Sequence, residues 1–158
     1  MPARPSTTPR KPARTKPTAA EVRPGLFVGG WGDAQKFSGT KFCVLDEAPP
    51  DMPAATHVAI FDEATEEPIV SSLDQLSELI SAARTREEPV LVFCGHGVRR
   101  SPLAVAWHLH RSESIPLDDA FDRIRAVRPF IEPVHAWAKG WKVLEAADRR
   151  RSGSAGRR

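Results

Sequence analysis

The stretch Val90–Pro102, VLVFCGHGVRRSP, constrains the fold more than any other part of the chain. Four apolar residues, Val90 to Phe93, run without alternation up to Cys94. A strand reads this way when both faces of its sheet are covered. Gly95 and Gly97 then loosen the backbone, Arg99 and Arg100 follow, and Ser101-Pro102 opens a helix. Serine suits an N-cap and proline the first helical position. The segment beyond, Leu103 to Leu109, is apolar almost all round and is expected to be buried.

The rest of the middle segment repeats this alternation of strand and helix. Leu26-Phe27-Val28, Phe42-Cys43-Val44-Leu45 and His57-Val58-Ala59-Ile60-Phe61 are short apolar runs between polar or Pro-rich loops, and Pro89 to Phe93 is the fourth strand. From Ile69 to Ala83, Leu73, Leu76, Leu79 and Ile80 recur at helical spacing. Further helices are expected at about 102–112, 117–127 and 134–147, with Trp137 and Trp141 one turn apart in the core. The pattern predicts an α/β fold, a central mostly parallel sheet of about five strands with helices on both faces.

Charge divides the chain of 158 residues into three. Residues 1–20 carry five basic side chains and no acid, residues 149–158 five arginines and no acid, so the middle holds 13 basic against 20 acidic groups. The high isoelectric point belongs to the ends, which are read as disordered basic tails, and 21–148 as the folded domain. Prolines 2, 5, 9, 12 and 17 rule out an amphipathic targeting helix at the N-terminus. The acidic body is no nucleic-acid clamp, which leaves the tails a weak contact with nucleic acid or an acidic partner. Two cysteines make no disulfide framework and point to a reducing cytoplasm. No apolar run is long enough for a membrane span, and a monomer is expected.

Ligands of α/β sheets bind at the carboxyl ends of strands, where Cys94 stands. The loop of Gly95, His96, Gly97, Val98, Arg99 and Arg100 brings backbone N–H groups and a helix N-terminus to one point, which cradles an anion. Arg100 can grip an oxyanion through two parallel hydrogen bonds. A thiol is nucleophilic as its anion, and the cradle that binds a phosphate also favours the thiolate beneath it.

VFCGHGVRRSPLAVAWHL resembles the signature of the cysteine-based protein phosphatases: Cys, any five residues, Arg, then Ser or Thr. The likeness is to the compact dual-specificity branch of the protein tyrosine phosphatase superfamily. GLFVGGWGDAQ is similar to that family's opening strand and turn, and DAFDRIRAVRPFIE to its penultimate helix and exit, so the likeness spans roughly 24–147. The resemblance implies that Cys94 attacks phosphorus to form a phosphocysteine, that Arg100 stabilises the transition state, and that Ser101 helps the thiolate leave. It also requires an acid upstream. Asp62, in IFDEATEEP, lies 32 residues before Cys94, a spacing similar to the family's, with Glu63, Glu66 and Glu67 as competitors. The substrate implied is a phosphorylated protein or a small phosphomonoester in a shallow cleft, with no cofactor.

Two positions depart from the family pattern. Phe93 stands where the family usually has a histidine organising hydrogen bonds around the thiolate, and Val134 where it often has an asparagine bracing the loop. His96 and Arg99 are expected on the rim. Cys-x-His-Gly is reminiscent of the RNA 5′-triphosphatases, which share the mechanism. The same residues also fit a catalytically weak phosphate-binding module, or a rhodanese-like sulfurtransferase. Cys43 reads as a small buried residue, the competing reading being a disulfide to Cys94. His57, His108, His110 and His135 lack ligand spacing, and no metal site is expected.

Overall fold

The computed structural model describes residues 18–156, so most of the tail expected over 1–20 lies outside the described residues. A five-stranded sheet runs in the order β1 (Ala20–Arg23), β2 (Leu26–Gly29), β7 (Val90–Phe93), β3 (Thr40–Cys43), β4 (Thr56–His57). β1 and β2 form an antiparallel hairpin, and every other pairing is parallel. β7 is central: Val90 sits level with Leu26 on one side and Thr40 on the other. All four of its residues are fully buried. Burying a side chain of this size contributes about 1.5–3 kcal/mol, which is why an unbroken apolar run takes this place.

Helices lie on both faces, unequally shared. Val28, Phe42, Val90 and Val92 face the main core with α2 (Val70–Thr85), α3 (Arg100–Glu113), α4 (Leu117–Val127) and α5 (Lys142–Gly156). Leu91 and Phe93 point the other way, into a thin second core with Cys43 and Ala34 of the short helix α1 (Trp31–Lys36). Asp74 of α2 ties three helices together. Its carboxylate accepts from Trp107 Nε1 at 2.8 Å, Arg111 at 2.6 Å and Arg151 at 2.8 Å. Among the described residues no helix is long and apolar enough to cross a membrane.

Three expectations need correction. The run His57–Phe61 is not one strand: only Thr56–His57 joins the sheet, while β5 (Phe61–Asp62) turns away to pair with β6 (Glu67–Pro68). The helix expected over 134–147 is broken. A 3-10 turn, Val134–Ala136, is followed by a segment in which Gly140 N donates to Glu66 O at 2.9 Å, and α5 starts only at Lys142. Docking on the β5–β6 turn thus interrupts the helix. Trp137 and Trp141 consequently share no helix; Trp137 packs on Phe61 and Trp141 on His135. Finally, α5 continues to Gly156, through most of the segment expected to be a tail.

His108 of α3 is almost wholly buried, with Nδ1 2.8 Å from Ser77 Oγ and no partner for Nε2. Burial disfavours the imidazolium and pulls its pKa from 6.5 down to about 4, with Arg84 adding to the effect. The unfolded chain therefore takes up this proton before the fold does. The contribution to stability is full above pH 6.5 and falls as pH drops toward 4, by on the order of 3 kcal/mol. Urea midpoints measured from pH 4 to 7 should decline more steeply for the wild type than for His108→Leu; parallel curves would show that His108 is not the sensitive group.

Candidate active site

The chain leaves β7 at Phe93 and enters α3 at Arg100, so six residues make the whole loop. Cys94 opens it, 5% exposed. Its Sγ accepts from Gly97 N at 3.3 Å and Ser101 N at 3.4 Å, and Ser101 Oγ lies 3.3 Å away. The same hydroxyl reaches Gly29 O at 3.1 Å. Having one proton, it can serve the carbonyl or the sulfur, so it is placed to turn toward a thiolate when charge develops there. This corrects the capping role expected of Ser101. The helix starts two residues earlier, at Arg100, the N-cap position falls on Arg99, and Ser101 is buried in the first turn.

A loop whose amides turn toward one point must turn carbonyls away from it, and these need donors. Arg128 supplies them. Only 2% exposed, it donates from Nε to Gly97 O at 2.9 Å, from Nη2 to His96 O at 3.3 Å and from Nη1 to Thr18 O at 2.7 Å. Burial lowers its pKa from the ordinary arginine value, while Asp33 and Cys94 favour the charge. Gly97 takes φ +70° and leaves no room for a side chain: a Cβ would meet the Arg128 guanidinium and the Gly29 backbone. Glu132 N donates to Val98 O at 2.9 Å, and its carboxylate pairs with Arg99 at 2.8 Å. His96 and Arg99 are exposed on the rim, and Gly95 O receives Trp31 N at 3.0 Å.

Arg100 does not point at Cys94. Its Nε and Nη2 donate to the two carboxylate oxygens of Asp46, both at 2.9 Å, and Nη2 lies 3.4 Å from Glu63. The guanidinium packs over Phe61 at 4.9 Å and Trp137 at 5.8 Å. Glu63 has its pKa raised, first by hydrogen bonding to the Asp46 carboxyl and then by its charge. Asp62 stands on β5, exposed, with its carboxylate accepting from Ala64 N at 2.9 Å. The acidic turn therefore meets Arg100 through Glu63 rather than Asp62.

Sequence reasoning missed Arg128 and Asp46. An arginine just before Pro129 at the end of α4 was the signal for the first; no sequence signal marked the second. Phe93 has a physical explanation. Successive strand residues face opposite sides, so Phe93 points away from Cys94 and packs edge-to-face on Trp31, with ring centroids 6.1 Å apart. Cys43 shares that second core, burial raises its pKa, and both cysteines are free. Val134 is buried in the main core.

Known proteins share this architecture. A family model described as dual specificity phosphatase, catalytic domain, matches residues 49–141. Rat dual specificity protein phosphatase 12 is 28% identical over 147 residues, covering 85% of this chain and 43% of its own length. The chain thus spans less than half of that relative. Mouse dual specificity phosphatase 28 is 29% identical over 134 residues, covering 78% of this chain and 82% of its own. Among solved structures, a mouse putative dual specificity phosphatase complexed with zinc tungstate superposes with a TM-score of 0.64. It is 25% identical and covers 90% of this chain and 97% of that one.

Two substitutions test the supports of the loop. Arg128→Met removes the charge-assisted bonds to three carbonyls and should lower stability by roughly 2–4 kcal/mol in chemical unfolding. An unchanged midpoint would mean that the guanidinium does not carry the loop. Phe93→His places an imidazole in the apolar second core and should cost about 1–3 kcal/mol; a neutral result would show that the core under α1 tolerates polarity.

Proposed function

The chain belongs to the dual-specificity phosphatase family, and we propose that it hydrolyses phosphomonoesters, on tyrosine and on serine or threonine in proteins, through a phosphocysteine on Cys94. One observation carries this reading above the others. Cys94 Sγ sits at the end of the central strand and collects two backbone N–H groups and a hydroxyl around a single sulfur.

The chemistry follows in two displacements. In the first, the Cys94 thiolate attacks phosphorus as the bond from phosphorus to the ester oxygen breaks, and Asp62 gives that oxygen a proton. Loop amides hold the peripheral oxygens, and the Arg100 fork stabilises the charge spread over them in the transition state. In the second, water attacks phosphorus and passes its proton to Asp62. The bond to sulfur breaks and inorganic phosphate leaves. The returning thiolate is met by Gly97 N, Ser101 N and the Ser101 hydroxyl. Phe93 packs on the far face of the sheet, against Trp31.

The test is hydrolysis of a small aryl phosphate between pH 5 and 8. Cys94→Ser and Arg100→Ala should abolish turnover. Asp62→Asn should slow it by about 10²–10⁴-fold and remove the basic limb of the profile, as loss of a general acid does. Full activity in Cys94→Ser would end the covalent mechanism. A basic limb that persists in Asp62→Asn would move the acid role to Glu63.

A further inference from the structure

The loop around Cys94 is fully formed, yet its arginine is occupied. We propose that Asp46 is a latch on Arg100: its carboxylate fills the guanidinium edge that a phosphoryl group needs, so substrate binds by displacing Asp46. The inference rests on the phosphatase reading, because only there does Arg100 have a phosphoryl group to hold.

The geometry supplies the argument. A guanidinium binds a carboxylate and a phosphate with the same fork of parallel N–H groups. Asp46 already uses that fork, Nε and Nη2 each donating at 2.9 Å. Both partners are shielded, with side chains only 20% and 23% exposed, so the pair is less screened by water than a surface ion pair. Phe61 and Trp137 flank the cation and help to hold it there. Among the described residues no hydrogen bond joins the Arg100 guanidinium to Cys94 or to the loop; the sulfur is served by Gly97 N, Ser101 N and the Ser101 hydroxyl instead. Glu63 adds a second carboxylate at 3.4 Å from Nη2, on a side chain 74% exposed. Two acids thus crowd one arginine, and the pKa of Glu63 is raised first by hydrogen bonding to the Asp46 carboxyl and then by its charge.

A latch has a sign that a positioning contact does not. If Asp46 competes with phosphate, only the unlatched fraction binds, and apparent affinity is reduced by that fraction. If Asp46 instead aims Arg100 at the phosphate, its loss weakens binding. The experiment is calorimetric titration of the full chain with inorganic phosphate at one pH, for wild type, Asp46→Asn, Arg100→Ala and the double variant. The latch predicts binding about tenfold tighter in Asp46→Asn, and no tightening from the same change once Arg100 is alanine. Unchanged or weaker binding in Asp46→Asn overturns the latch. So does equal tightening in the Arg100→Ala background, which would mean simple removal of a negative charge near the anion. Wild-type binding indifferent to Arg100→Ala would overturn the phosphatase reading and the latch together. Should Asp46→Asn fail to fold, the wild type carries the test. Its Arg100 Nε–H resonance should move as phosphate saturates, and a resonance that stays in place counts against displacement.

Discussion

The site depends on a rule of backbone polarity. A loop cannot turn several N–H groups toward one point without turning carbonyls away, and buried carbonyls without donors are costly. Arg128 meets that demand from beneath, reaching Gly97, His96 and Thr18 with one side chain. Around it the neighbouring elements fall into place. The end of β2 offers Gly29 O to Cys94 N and to the Ser101 hydroxyl, and the exit from α4 offers Glu132 N to Val98 O. Cys94 and its loop are thus held from three segments far apart in the chain, the end of β2, the loop itself and the exit from α4, and the fold is the device that gathers them.

The two faces of the sheet do different work. The thick face, under four helices, carries the apolar mass of the protein and the sulfur of Cys94 at its edge. The thin face, under α1, is filled by Leu91, Phe93 and Cys43. A strand alternation of one residue separates the Phe93 ring from the Cys94 sulfur beside it. Phe93 is thus set by what covers the sheet, not by the chemistry at its end.

Much of this was legible in the residues. The unbroken run Val90–Phe93 marked a strand buried on both faces, and the amphipathic period of 117–127 marked α4 along its whole length. Elsewhere tertiary contact overrode local pattern. Four residues at Ala20–Arg23 alternate apolar and charged over too short a run to stand out beside the basic tail, and they pair with Leu26–Gly29. The break after Ala136 comes from docking on the β5–β6 turn, a partner far away in the chain that periodicity cannot see. At the site, Cys94, Ser101 and the glycines stood out because loop, strand and helix signals converged on them. Arg128 and Asp46 did not, since burying an arginine and choosing its anion are properties of the assembled molecule.

The sheet order has a consequence for how the molecule comes into being. β2 and β3 are made early and never touch; the strand that joins them ends at residue 93. Until it arrives, each presents an unpaired edge, the kind of surface that invites wrong partners. Long-range parallel pairing of this sort is slow to form. When the late strand inserts, it closes the sheet and sets Cys94 at its end, while Arg128 and Glu132, which hold the loop, follow later in the chain. The loop around Cys94 is therefore completed only once the exit from α4 has been made.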